Sequence, residues 1–171
     1  QKRVTSYVPV ICIGELGGGY YNGDAVASGA SQSLPPPVIT NITVDGANNN
    51  PGDAADGEVA LDIQVAAFVY SYITGEPAQI GMIWAPNSDT GMPGAQQKAS
   101  QIPNAASMSW SWGAFEDNWS VQSRSSFDSQ VATCEGLGIA TFAASGDNNA
   151  GDGASGLNVD FPSSAPHGVG V

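Results

Sequence analysis

Apolar and polar positions fall into alternating blocks along the chain. Val8 to Gly14 (VPVICIG) is an apolar, β-branched run stopped by Glu15, Leu16 and three glycines, which predicts a strand ending in a turn. Residues 23–33 are small and mildly helical, and Pro35-Pro36-Pro37 then breaks the chain. Val38 to Val44 (VITNITV) alternates with the period of a strand. A polar loop rich in Asn, Gly and Asp covers Asp45 to Gly57. Glu58 to Tyr72 (EVALDIQVAAFVYSY) predicts a helix, its start favoured by acidic residues at the positive end of the helix dipole. Further on, Ile80 to Ala85 reads as a strand and Ala95 to Ser100 as part of a short helix. Ala106 to Trp112 follows as a strand, Trp119 to Leu137 as a helix, and Ile139 to Ala144 as a buried strand.

Strands that alternate with helices predict βαβ units: an α/β fold with a parallel sheet covered by helices on both faces. Sites in such sheets gather at the carboxyl ends of the strands. Three features lie at such ends: Glu15 with its glycines, Ser111-Trp112-Gly113, and Gly146-Asp147. No internal repeat is visible.

Composition narrows the function classes. Sixteen acidic residues against four basic ones give a net charge of −12 at pH 7, so neither nucleic acid nor an anionic membrane would find a basic patch. The hydrophobic fraction of 42% supports a packed core despite that charge. No apolar run reaches the roughly 18 residues of a membrane span. A single histidine, His167, makes a zinc site or a Ser-His-Asp triad hard to build within this chain, and its terminal-loop position reads as surface. The opening Gln1-Lys2-Arg3 reads as a processed N-terminus, and Asn41-Ile42-Thr43 and Asn118-Trp119-Ser120 as N-glycosylation acceptors. Together they point to a secreted or lysosome-like acidic compartment. There, Cys12 and Cys134 would form a disulfide or stay as two buried thiols.

The residues with chemical potential are mostly carboxylates. Glu58 and Asp62, at i and i+4, share one face of the predicted helix, a repulsive spacing that costs a few tenths of a kcal/mol. Two readings stand: a solvated acidic face, or two carboxyls that share a proton and act as a base at low pH. Asp147 opens GDNNAGDG, which is an Asx turn, a calcium loop with a broken ligand pattern, or an acid placed where an oxyanion develops. Gly17-Gly18-Gly19 fits neither the dinucleotide nor the Walker spacing. Trp110, Trp112 and Trp119 are either core aromatics or the wall of a cleft.

Several longer stretches resemble the sedolisins, the serine-carboxyl peptidases of subtilisin-like fold. They are ELGGGY at Glu15 to Tyr20, VDGANNNPGDAADGEVALDI at Val44 to Ile63, and IWAPNSDTG at Ile83 to Gly91. SWGAFEDNW at Ser111 to Trp119, AASGDNNAGDG at Ala143 to Gly153 and VDFPSSAP at Val159 to Pro166 complete the set, in the family's order. The resemblance implies the N-terminal portion of a subtilisin-like catalytic domain and an acid endopeptidase acting on proteins or peptides. It assigns the base to Glu58, its orienting partner to Asp62 and the oxyanion acid to Asp147. It also extends the proton network to Glu15 and Trp112, and makes Ser111, Trp112 and Gly113 the edge that binds substrate backbone. Ala114-Phe115 departs from the small or proline residues commoner in the family at that place.

The family's nucleophile lies in a G-T-S segment, and no such tripeptide occurs in this chain. The expectation is therefore a half domain, residues 1–171, completed by a second chain that carries the serine and the family's calcium site, with no metal held here and the isolated chain inactive. A non-catalytic binding or assembly module derived from the same fold is the rival. An acid glycoside hydrolase is a weaker one, because its two carboxylates must flank the scissile bond rather than sit on one helix.

Overall fold

The computed structural model describes residues 7–171, so the processed-terminus reading of Gln1 to Arg3 lies outside the described residues. Strand β1 is Val10–Glu15, followed by helix α1 (Asn22–Ser31), β2 (Val38–Thr43), α2 (Asp56–Thr74) and β3 (Gln79–Trp84). Then come α3 (Gly91–Ala99), β4 (Ala105–Trp110), β5 (Ala114–Phe115), α4 (Val121–Gly136), β6 (Ala140–Ala143), β7 (Asp160–Phe161) and β8 (Val169–Gly170). Six strands form one parallel sheet in the order β2-β3-β1-β4-β6-β8, while β5 and β7 make a small antiparallel ribbon.

Alternation along the strands sends neighbouring residues to opposite faces. Ile13, Met82 and Trp84 pack with Val59, Ile63 and Ala67 of α2 and Ala25 of α1. Cys12, Ile83, Met108 and Trp110 pack on the other side with Met92 and Ala95 of α3 and Phe127 and Val131 of α4. The sheet thus has α1 and α2 on one face and α3 and α4 on the other, as the sequence pattern predicts.

The connections are not all of one hand. The β1–α1–β2 crossover runs one way along the sheet, while β3–α3–β4 and β4–α4–β6 run the other way with their helices on the opposite face. The β2–α2–β3 crossover runs in that second direction but keeps its helix on the α1 face. Its hand is therefore opposite to the other three, a rarity in parallel sheets. This unusual connection delivers the helix that bears Glu58 and Asp62.

Local signals explain the element ends. Gly75 adopts φ 75° and closes α2 with its N–H on the Ser71 carbonyl. Ser120 caps α4 by accepting from the Ser123 N–H at 3.1 Å, so α4 starts at Val121, two residues after the predicted Trp119. Helix α3 begins at Gly91, where a Cβ would stand 1.8 Å from the Pro86 carbonyl oxygen, and so starts before the predicted Ala95. Strand β4 ends at Trp110, so Ser111 to Gly113 leave the sheet instead of extending the strand as expected. Both cysteines are buried and free. Burial pushes the Cys12 thiol up to about 12, with a further rise from nearby Cys134.

Candidate active site

Three chain segments meet at the C-terminal edge of the sheet. Glu15 is the last residue of β1 and is fully buried. Asp62 comes from the second turn of α2, and Ser111 and Trp112 follow the end of β4. The Trp112 Nε1–H donates to Glu15 Oε2 at 2.8 Å, and the Ser111 hydroxyl donates to Asp62 Oδ1 at 2.8 Å. The remaining oxygens, Glu15 Oε1 and Asp62 Oδ2, are buried with no donor from another group. A buried carboxylate oxygen without a partner is costly, and a proton held between two such groups satisfies both.

The electrostatics agree with that arrangement. Burial pushes Glu15 up to about 8; the Trp112 hydrogen bond opposes this, while the charges of Asp62 and Glu58 add to it. Burial likewise pushes Asp62 up to about 6, countered by the Ser111 hydrogen bond and raised again by the Glu58 charge. Both carboxyls are raised and face each other, so the pair holds one proton between them. Local spacing left Glu58 and Asp62 as either a solvated acidic face or a proton-sharing pair, and the resemblance added Glu15 and Trp112 to the network. The structure brings a third carboxyl, Glu15, into the group from 47 residues away. Glu58 itself is exposed, one turn before Asp62 on α2.

The glycine segment after β1 is held by residues that sequence reasoning missed. Asp56, in the first turn of α2, accepts from the Gly19 N–H at 2.8 Å and the Gly52 N–H at 2.6 Å. Asn49 pairs its amide with the backbone of Tyr20 through two bonds of 2.8 and 3.0 Å. Both lie in the Asn/Gly/Asp loop, whose composition signals turns but not which of its side chains reach back.

The other expected positions are spread more widely. Asp147 is exposed on the loop after β6, behind Gly146 at φ 84°, on the same carboxyl edge of the sheet. Its segment is joined to the Trp112 segment through the bond from the Ala144 N–H to the Trp110 carbonyl. Gly113 lies against Asp160, where a Cβ would stand 2.2 Å from Oδ1. Asp160 and Asp152 are buried, each with one oxygen lacking a donor, and burial pushes Asp160 up to about 6, with Asp152 adding to it. The three tryptophans divide between both readings: Trp110 is core, Trp119 packs on Phe161 at 5.3 Å, and Trp112 faces the site. His167 is exposed and paired with Asp128 at 2.9 Å. Asn118 lies in an exposed turn. Asn41 lies in β2 with its amide engaged on both sides, donating to Tyr20 Oη at 3.0 Å and accepting from Trp84 Nε1 at 2.8 Å.

Among the described residues, no group of three or more His, Cys, Asp or Glu side chains is placed to hold a metal ion. Among the described residues, no helix is long and apolar enough to cross a membrane.

A mainly parallel sheet covered by helices, with carboxyls gathered at its C-terminal edge, places the chain in the subtilisin-like α/β class. Comparison with known structures agrees: the chain aligns with Pseudomonas sedolisin, a serine-carboxyl proteinase solved with two molecules of pseudo-iodotyrostatin. The TM-score is 0.82 and the identity 19%, over 98% of this chain and 50% of that one. In sequence it is 37% identical over 164 residues to kumamolisin of Bacillus sp. (strain MN-32), which spans 92% of this chain and 29% of that protein. No protein-family model matches. The chain belongs to the sedolisin family, and it spans half or less of the length of these relatives.

Proposed function

We propose that the chain supplies the proton-handling half of an acid-acting serine-carboxyl endopeptidase. Glu58 is the base that takes the proton from an attacking serine hydroxyl as its oxygen bonds to the peptide carbonyl carbon. Asp62 orients Glu58, and Glu15 and Trp112 extend the proton network behind it. A protonated Asp147 donates to the oxyanion, and the backbone of Ser111, Trp112 and Gly113 holds the peptide. When the intermediate collapses, the proton on Glu58 passes to the leaving amine. A carboxylate base works at acidic pH, where histidine would already be protonated. The observation that carries this reading is the buried Glu15–Asp62 pair, with both outer oxygens bonded by Trp112 and Ser111 and both inner oxygens left for one proton.

The serine, and the calcium site of the family, belong to the rest of the catalytic domain, outside these residues. An apolar groove of about 630 Å³ supports this. It is lined by Ile11, Val65, Val69, Ile73 and Phe142, opens at Asp62, and leaves the part of the α2 face over β4 and β6 without the helix that such sheets require. The chain acts in a secreted or lysosome-like acidic compartment and carries glycans at Asn41 and Asn118. Intact-mass measurement of native material, with peptidase assays at about pH 3–5, tests the proposal. Native material carrying a G-T-S segment, in the same polypeptide or in one that copurifies, and loss of activity in Glu58→Gln are expected. Native material with no such segment, or activity that survives the substitution, would sink it.

A further inference from the structure

Gln96 is a fully buried polar side chain on α3, the helix whose Met92, Ala95 and Ala99 belong to the apolar core. A primary amide at such a position is costly unless its hydrogen-bonding groups are used. Here they are. Gln96 Oε1 accepts from the Trp110 Nε1–H at 2.8 Å, and Nε2 donates to Thr141 Oγ1 at 2.8 Å and to Cys134 Sγ at 3.3 Å. The Cys134 thiol in turn lies 3.5 Å from the Gln96 carbonyl oxygen. One amide therefore ties α3 to β4, β6 and α4.

Its first partner is the decisive one. Trp110 is the last residue of β4, immediately before Ser111 and Trp112. Its ring also presses on β1, since a Cβ at Gly14 would stand 2.6 Å from two of its carbons. The indole is thus wedged between Gln96 on one side and the residue preceding Glu15 on the other. An apolar side chain at 96 would fill the same volume but leave the buried indole N–H unpaired, a cost the ring lowers only by shifting within its slot. A shift of Trp110 is passed through the backbone to the next two residues, which carry both donors to the site: the Ser111 hydroxyl on Asp62 and the Trp112 indole on Glu15.

We propose that Gln96 is a positioning residue of the carboxyl site, which fixes Trp110 and thereby aims Ser111 and Trp112 at Asp62 and Glu15. It touches neither substrate nor reacting atoms. The inference rests on the proposed function only for its effect on activity; the geometric part stands without it.

The test uses ¹⁵N-indole NMR on Gln96→Met and Gln96→Glu. Met has similar length and no hydrogen-bonding amide. Trp84, bonded to Asn41 on the opposite face of the sheet, reports whether the fold is intact. With the Trp84 resonance unchanged, Gln96→Met is expected to shift the Trp112 Nε1–H resonance and raise the Glu15 titration midpoint. Gln96→Glu is the conservative rescue. A buried glutamic acid stays protonated to about pH 8, keeping one acceptor and one donor, so at about pH 4 its Trp112 signal matches the parent and departs only as the new carboxyl ionises. Unaltered Trp112 and Glu15 signals in Gln96→Met would reduce Gln96 to core support and overturn the inference. If Gln96→Met loses the Trp84 signal, Gln96→Glu decides alone: a Trp112 signal that follows its titration supports the inference, and a flat one refutes it. In the active peptidase, Gln96→Met should lose about tenfold in kcat/KM, and Gln96→Glu should recover it at about pH 4. Activity retained in Glu58→Gln alongside the Trp112 shift would refute the proposed function and leave the positioning role standing.

Discussion

The indole N–H of Trp112 donates to Glu15 Oε2 at 2.8 Å, joining residues 97 positions apart across the edge of the sheet. This bond opposes the burial that raises Glu15, because a donor stabilises the charged form. In Trp112→Phe the ring volume largely remains and the donor is gone. The Glu15 midpoint should then rise above its value of about 8, and the unpaired oxygen should cost about 1–3 kcal/mol of stability. Carboxyl ¹³C titration and urea unfolding measure the two effects. A fall in the midpoint would contradict the arrangement.

Stability should decrease from acidic to neutral pH. Glu15, Asp62 and Asp160 are all raised by burial, to about 8, 6 and 6. Between the unfolded values near 4 and these folded values, the native state binds more protons than the unfolded chain, so each rise in pH favours unfolding. His167 has the same sign: its hydrogen bond and charge pairing with Asp128 raise it, and that contribution is present at low pH and lost as pH climbs through the folded value. Thermal midpoints at about pH 4, 6 and 8 should fall in that order. A midpoint highest at pH 8 would mean that the buried carboxyls are not where the structure has them.

Gly19 sits where side chains cannot. A Cβ there would stand 2.4 Å from the Pro51 backbone nitrogen and 2.5 Å from Asn49 Oδ1. Relief requires moving the loop that Asn49 and Asp56 pin to Tyr20 and Gly19, and this loop leads into α2. Gly19→Ala is expected to destabilise by about 1–3 kcal/mol and to displace Asp62 relative to Glu15. Gly23→Ala, with nothing within 4 Å of its Cβ, serves as the control and should be near neutral. Equal unfolding midpoints for the two variants would count against the close approach.

The contrast between what the sequence discloses and what it hides follows from range. Helix α2 was legible because its apolar run is long: Glu58 to Tyr72 was expected and Asp56–Thr74 is found. The β1 core was legible because Ile11 to Ile13 are apolar and followed by glycines. The acidic pair Glu58 and Asp62 was visible because local spacing places both on one helix face. That Glu15 joins them came from the resemblance and not from any local pattern, because the meeting depends on strand register and on a crossover of unusual hand; that Asp160 lies under Gly113 had no signal at all. The two-residue strands β5, β7 and β8 were missed because so short a segment carries no period. Gln96 looked like any polar residue of a helix until the partners on β4, β6 and α4 were in place.

Asp160 offers a separate check on the second acidic pair. Its Oδ1 and the Oδ2 of Asp152 are buried without donors, and a Cβ at Gly146 would stand 3.2 Å from an oxygen of each, so the two carboxyls are neighbours. Burial, with the Asp152 charge adding to it, keeps Asp160 protonated up to about pH 6, and above that its charge forms in a site that disfavours it. Asp160→Asn keeps the shape, removes one charge and adds an N–H that can donate to Asp152. It should therefore stabilise the protein by on the order of 1 kcal/mol at about pH 7 and have little effect at about pH 4, where the parent already holds its proton. Denaturant unfolding at the two pH values gives the comparison. Destabilisation at pH 7 would show that the ionised pair is satisfied by groups other than its own proton, and the pH dependence assigned to Asp160 would then fail.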